Sequence, residues 1–316
     1  MLASVRALLH QIIDYAGLFP PAKLPLDVAL QNYLRYKKQS PCAWMLGRFV
    51  CPVAKLPELL TLAKGHPDAA LLQITALGQQ SARWEDIFQG LCTDIHRIDE
   101  FRCTWGGDGG IDYLELALPK DERFDELTDQ VPRWARELDD VALVGFLEVP
   151  SGDNWRRTVA SLSAPLAVLP SDQAIGLKLR CGGLSVEAFP ADEQVAYFIA
   201  QCRATKVPWK ATAGLHHPRR HFDKSLGVWH HGILNVFLAG MLAMAHPLSD
   251  ADLIGILADR DGAGFRFEED RISWKDWSCT TAQITEFRTT GPTSFGSCSF
   301  DEPVDDLLAM GLLDRA

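Results

Sequence analysis

The sequence predicts an α/β fold of the (β/α)8, TIM-barrel-like type, as a single domain with an N-terminal helical extension. Short apolar runs rich in strand-forming residues alternate along the chain with longer stretches of helical periodicity. These runs stop at Pro52, Gly78, Pro119, Pro150, Arg180 and Thr212, a repeat of roughly 30 residues, which is what a barrel of about 250 residues gives each βα unit. No G-x-G-x-x-G follows a strand, and the W-G-G-D-G-G of Trp105 to Gly110 precedes one, so a dinucleotide-binding open sheet is disfavoured.

Residues 1–40 form the expected extension. Its first part, Met1 to Ile13, has helical apolar spacing broken by Arg6 and His10, and no small-residue cleavage site follows, so it is not read as a signal peptide. The D-Y-A-G-L-F-P-P of Asp14 to Pro21 is a rigid Pro-containing turn holding Asp14 and Tyr15, which either plugs the barrel or reaches the site, the structural role being the favoured one. The barrel core is expected over 41–260. Its strands are Met45 to Val53, Ala69 to Leu77, Ile111 to Leu118, Ala142 to Val149, Ile175 to Arg180 and Val207 to Thr212. Helices lie at Leu56 to Ala63, Phe124 to Leu138 and Asp192 to Ala204. Leu166 to Leu169 and Phe265 to Phe267 are the candidates for the two remaining strands. A strongly apolar helix spans Ile233 to Ala245, and Ser249 caps a second over Leu253 to Ala258. Residues 261–316 hold a hairpin from Phe265 to Trp274 turning at Glu269 and Asp270, a Gly-, Ser- and Thr-rich stretch from Thr290 to Ser299, and a last helix from Val304 to Leu313.

Composition narrows the function. The 31 basic and 41 acidic residues give a net charge of −10, which argues against nucleic acid as a partner, since phosphate neutralisation requires surplus Lys and Arg. The apolar run Ile233 to Ala245 is interrupted by Asn235 and falls short of the roughly 20 residues of a membrane span, so no membrane is implied. Eight cysteines without a C-x-x-C pair suit a reducing cytoplasm. The oligomeric state stays open, a homo-oligomer included.

Strand alternation predicts which side chains enter the barrel. Ile175, Leu177 and Leu179 suit the helix layer, leaving Gly176, Lys178 and Arg180 inside. By the same count Lys210 and Thr212, Tyr113 and Glu115, and Glu148 face inward, with Arg48 on the earlier strand as a further candidate. Four successive strands thus each send charge inward near their C-terminal ends. Charges in such an interior are costly unless paired or used. They form either an ion-pair network that specifies the fold or a site for an anionic, carbonyl-bearing substrate at the catalytic rim of a barrel. Two lysines one unit apart would lower each other's pKa and make an amine nucleophile.

The segments I-G-L-K-L-R-C-G-G and V-P-W-K-A-T-A-G resemble, in spacing and position, the lysine-bearing strands of class I aldolases of the deoxyribose-phosphate type. By that resemblance Lys178 is the Schiff-base lysine and Lys210 tunes it. The sequence departs from that family in offering Glu115 where the family has an Asp relay, and in its histidine-rich loop. His216, His217, His221, His230 and His231 fall within A-G-L-H-H-P-R-R-H and W-H-H-G. His216 or His217, directly after the Lys210 strand, is an acid/base, an anion donor or a metal ligand on the rim. His231 and Asn235 share a helix face and either close over substrate or serve as a cap and a buried amide. Cys298, in S-F-G-S-C-S-F, is a candidate nucleophile, and the same Gly-Ser stretch a source of N–H donors to phosphate. Taken together, D-Y-A-G-L-F-P-P, K-A-T-A-G-L-H-H-P, H-G-I-L-N-V and F-G-S-C-S-F resemble a set of bacterial hypothetical proteins of about this length, a resemblance that implies a bacterial cytosolic protein and no activity.

Three readings follow from these residues. In the first, the chain is a lyase of aldolase type acting on a small anionic carbonyl compound without a cofactor. Lys178 or Lys210 is the amine, Glu115 or Glu148 the proton relay, His216 or His217 an acid/base, and Arg180, Arg48, His231 and Asn235 bind substrate. In the second, a divalent metal held by Glu115, Glu148 and a histidine makes it an isomerase or hydrolase. In the third, it is a non-catalytic binding protein.

Overall fold

The computed structural model describes residues 1–81, 83–106, 110–119, 127–152, 154–170 and 175–314. The elements run α1 (Ala3–Leu9), β1 (Ile13–Tyr15), α2 (Leu26–Gln39), β2 (Leu46–Pro52), α3 (Leu56–Ala63), β3 (Ile74–Leu77), α4 (Trp84–Trp105), β4 (Ile111–Ala117), α5 (Leu127–Asp140) and β5 (Val144–Glu148). Then come α6 (Trp155–Leu166), β6 (Ile175–Arg180), α7 (Asp192–Thr205), β7 (Trp209–Thr212), β8 (His221–Asp223), β9 (Val228–His230), α8 (Ile233–Ala245) and α9 (Asp250–Ala258). The chain ends with β10 (Phe265–Phe267), β11 (Arg271–Trp274), β12 (Trp277–Thr280), α10 (Thr281–Thr290), β13 (Pro292–Ser297) and α11 (Asp301–Ala309).

Eight parallel strands close a barrel in the order β1-β13-β7-β6-β5-β4-β3-β2, which is the (β/α)8 fold read from the sequence. The alternation is visible in burial: Leu177 and Leu179 of β6 and Trp209 and Ala211 of β7 face the helix layer, where Trp84, Trp134, Phe198 and Phe237 fill the space between sheet and helices. Register sets the interior. Glu148 lies beside Lys178, and Lys178 beside Lys210, as direct partners across β5, β6 and β7.

The barrel reaches beyond the expected core of 41–260. Its first strand, β1, lies in the segment read as an extension, and its eighth, β13, in the Gly-Ser stretch near the C-terminus. The two strands proposed in their place are something else. Leu166 ends α6, and Phe265–Phe267 is one edge of a separate three-stranded antiparallel sheet. That sheet contains the expected hairpin, with Phe265 paired to Trp274 and β12 added to it. Strand β3 is shorter than expected because Ala69–Leu71 forms a 3-10 turn. The beginning of the expected helix at 124–138 lies partly outside the described residues, as does most of the glycine run at 105–110.

Helix α8 is apolar apart from the buried Asn235, and Ile233 through Ala243 are all buried. A helix with no polar face must be covered all round. Here α7, α9, α10 and β12 pack against it as well as the barrel. Ser249 caps α9 as expected, its Oγ accepting from the Asp252 N–H at 3.2 Å. Among the described residues no helix is long and apolar enough to cross a membrane.

Candidate active site

The inward-facing charges meet in one continuous row through the barrel. Lys210, fully buried, donates from Nζ to Asp14 Oδ2 and to Glu115 Oε1, each at 2.6 Å. Lys178 donates to Glu115 Oε2 at 2.6 Å and to Glu148 Oε2 at 2.8 Å. Arg180 completes the row, with Nε at 2.9 Å and Nη2 at 2.8 Å from Glu148 Oε1. Acid and base alternate from Asp14 to Arg180, so each buried charge has opposite charges beside it, the arrangement that makes burial of ions affordable in free energy. Asp14 is further held by the Ser294 hydroxyl at 2.7 Å and by the Arg48 backbone N–H at 2.9 Å. Gly47 makes room for it: a Cβ there would stand 2.5 Å from Asp14 Oδ1.

Protonation follows from this alternation. Burial pushes the Glu115 carboxyl up, but Lys178 and Lys210 together outweigh it and hold the group down at about 2. Glu148 is likewise pushed up by burial and brought below the ordinary carboxylate range by Lys178 and Arg180. Burial favours the neutral amine at Lys178 and Lys210, yet the flanking carboxylates outweigh it and raise both. The expectation that the two lysines depress each other is corrected here. Glu115 stands between them, so each ammonium sees a carboxylate first.

The row opens at the C-terminal ends of the strands into a cavity of about 920 Å³. Glu115, Glu148, Lys178 and Arg180 line it, and Lys210 does not. Arg180 stands at the opening, with its side chain 42% exposed against 6% for Lys178. Thr212, Ala213 and Gly214 form one wall. Gly214 has φ +68°, and a Cβ there would lie 2.6 Å from the Cys181 carbonyl oxygen, so the turn after β7 requires glycine. Cys298, just after the neighbouring strand β13, also lines the cavity, with its thiol pushed up by burial, which is the wrong direction for a resting nucleophile.

The histidines divide. His216 and His217 line the cavity farther out and hold carboxylates of the α11 region, His216 Nδ1 at 2.9 Å from Glu302 and His217 Nδ1 at 2.5 Å from Asp306. The β8–β9 hairpin adds His221 and His230 to the same cavity. His230 is 8% exposed, stacks on Phe189 with ring centroids 4.3 Å apart, and has both ring nitrogens buried without a hydrogen-bond partner. Burial and the neighbouring His221 bring it down to about 4, so it is a neutral imidazole at pH 7.

Three expected binding residues sit elsewhere. His231 is buried outside the cavity, its Nε2 at 2.8 Å from the Pro190 carbonyl oxygen. Asn235 ties loops together: its Oδ1 accepts from Arg220 N–H at 3.0 Å and its Nδ2 donates to the Ile256 and Asp259 carbonyls at 2.8 Å. Arg48 points to the opposite end of the barrel, paired with Asp112 at 2.5 Å and lying over Tyr113. These positions follow from the strand direction, because Arg48 is near the start of β2 and not its end. The metal reading also lacks a ligand set. No group of three or more His, Cys, Asp or Glu among the described residues is placed to hold an ion. The oxygens of Glu115 and Glu148 accept from lysines and Arg180, and His216 and His217 are engaged by other acids.

Sequence reading missed two participants. Asp14 is not among the expected site residues, its turn being favoured as structural over reaching the site, although it is fully buried against Lys210, 196 residues away. His230 stood out only as one histidine among several. An acid preceding an aromatic residue in a short apolar segment was the available signal for Asp14; nothing local marked His230.

No family model matches the chain, and no curated protein matches it. Among solved structures it is similar to the deoxyribose phosphate aldolase of Aeropyrum pernix, described as tetrameric, with TM-score 0.46 and 13% identity over 68% of this chain and 85% of that one. A Toxoplasma gondii ME49 protein provisionally described as a deoxyribose-phosphate aldolase gives TM-score 0.47 and 12% identity over 68% and 79% of the two chains. Its apo-form gives 0.41 and 10% over 99% and 98%.

Proposed function

We propose that this chain is a lyase of aldolase type acting on a small anionic carbonyl compound, with Lys178 as the amine nucleophile. The observation that carries the reading is the position of Lys178. It is the lysine of the buried row that faces the cavity, with a carboxylate on either side of its Nζ.

In the resting site Lys178 is an ammonium ion and cannot attack. Glu148 is kept ionised by Lys178 and by Arg180 against the opposing effect of burial. An anionic substrate at the cavity mouth engages Arg180, the exposed end of the row, and weakens its hold on Glu148. Burial then raises Glu148, and the Lys178 proton passes to it across the 2.8 Å contact. The free amine adds to the substrate carbonyl carbon. The carbonyl electron pair moves to oxygen, which takes the proton now held by Glu148 and a second from the amine nitrogen, and leaves as water to give an iminium ion. That ion accepts the electron pair of the neighbouring carbon–carbon bond as it breaks, while the hydroxyl proton on the departing fragment passes to a carboxylate. The enamine left on Lys178 takes that proton at its nucleophilic carbon, which regenerates an iminium ion, and water then hydrolyses it and returns Lys178. Lys210 keeps Glu115 ionised and fixed between the two amines. His216 or His217 serves the rim as an acid/base group, and neutral His230 offers a donor and an acceptor to substrate hydroxyls.

Borohydride trapping tests this. The full chain is incubated with small aldehydes and ketones bearing a carboxylate or phosphate, reduced, digested and mapped by mass spectrometry. A reduced adduct on Lys178, absent in Lys178→Met, is expected. Adducts only on exposed lysines, or undiminished in Lys178→Met, would remove the mechanism.

A further inference from the structure

The opposite end of the barrel holds a second cavity of about 670 Å³, bounded by α1, α10 and the first residues of β2, β4 and β13. Arg6, Arg48 and Arg288 line it, with His10 and Gln11 between them. Arg48 is neutralised by Asp112. The other two guanidinium groups have no carboxylate partner among the described residues. Arg6 lies over the Trp44 ring at 4.5 Å, and Arg288 donates to the Pro292 and His10 carbonyls, each at 2.9 Å. Neutral carbonyls satisfy two of the five donors of Arg288 and leave its charge in place. Its Nε is buried without a partner.

This concentration of cations is out of keeping with a chain of net charge −10. The potential is felt by His10, whose imidazole is held below its ordinary value by burial and by Arg288, Arg6 and Lys37. Arg288 itself is lowered to about 10 by burial, against the opposing effect of Asp14 and Tyr113. Gln11, at the edge, has φ +48°, a left-handed conformation that a non-glycine residue adopts at some energetic expense. The Asp14 carboxylate beneath the floor is already engaged by Lys210 and by Ser294, which lines the cavity.

We propose that this N-terminal cavity is a binding site for a small oxyanion, inorganic phosphate or a phosphomonoester, held between Arg6 and Arg288. Guanidinium groups suit this ligand because their planar donors match phosphate oxygens two at a time. The volume admits a substituent on the phosphate. The site stands apart from the lyase reading and does not depend on it.

Calorimetric titration of the full chain with inorganic phosphate, and separately with phenyl phosphate, tests the proposal. Arg180→Gln removes the exposed cation of the other cavity, and the site should survive it unchanged. Arg6→Gln alters an exposed side chain and should raise Kd at least tenfold. Thr285→Glu, placing a carboxylate on the exposed part of the lining, should abolish binding with the unfolding midpoint retained. Binding of phenyl phosphate alone assigns the site to phosphomonoesters, and binding of both to the phosphate group itself. Absence of binding in the parent chain, loss in Arg180→Gln, or a Kd within twofold of the parent in both Arg6→Gln and Thr285→Glu overturns it.

Discussion

Replacing Lys210 by methionine removes one charge from the middle of the buried row with little change in volume. The row then holds Asp14, Glu115 and Glu148 against Lys178 and Arg180, one carboxylate in excess, at a place where Lys210 was fully buried. Removing one partner of a buried ion pair typically costs about 3–5 kcal/mol. The Glu115 carboxyl is held down to about 2 by Lys178 and Lys210 together, so removing Lys210 takes away part of what keeps it ionised. Urea unfolding at pH 7 should therefore show a stability lowered by about 3–5 kcal/mol, read as a lower midpoint at unchanged slope. The sign of the pH dependence is fixed as well. A carboxyl depressed in the folded state stabilises above its unfolded value of 4.5, and that stability is lost as pH falls toward about 2. The gap between parent and Lys210→Met should narrow below pH 4.5, and adding Asp14→Asn should recover most of it by restoring charge balance. A loss below about 1 kcal/mol, or one that is constant from pH 7 to pH 3, would refute the reasoning.

The remaining expectations concern residues whose roles the fold reassigns. Asn235→Ala removes three hydrogen bonds from a fully buried amide and should destabilise by about 2–4 kcal/mol, measured by thermal unfolding, with Lys178 trapping unaffected in the folded protein. His230→Phe removes two buried nitrogens that make no hydrogen bond, Nε2 standing 3.6 Å from Asp223, so the unfolding midpoint should hold or rise while substrate trapping weakens several-fold; a destabilised variant would show that the Asp223 contact contributes to stability. Arg180→Gln should leave stability within about 1 kcal/mol, since the side chain is substantially exposed, and should raise the substrate concentration needed for half-maximal trapping.

The lyase reading and the oxyanion cavity place chemistry at both ends of one barrel, and the same row of charges lies between them. Asp14 faces the lower cavity through Ser294 and Arg48, whereas Arg180 faces the upper one. The direction of the strands separates the two ends. Residues late in a strand, such as Lys178 and Arg180 of β6, reach the upper cavity, and those early in a strand, such as Arg48 of β2 and Tyr113 of β4, reach the lower.

Alternation alone was enough to place Glu115, Glu148, Lys178 and Lys210 on the interior face, because a half-apolar strand reveals its two sides within a few residues. The repeat of strand and helix was equally local and led to the barrel. The two strands that close it were not legible. Strand β1 has only three residues, and β13, P-T-S-F-G-S, carries small polar residues inside where an apolar alternation would otherwise show. What joins Asp14 to Lys210, and Ser294 to Asp14, is closure of the sheet between segments nearly 200 and 280 residues apart, which no window of sequence contains. Tertiary structure likewise decided that a carboxylate separates the two lysines, reversing the expected direction of their pKa shifts. The order of charges along the row depends on how neighbouring strands are staggered, and that stagger is a property of the closed barrel.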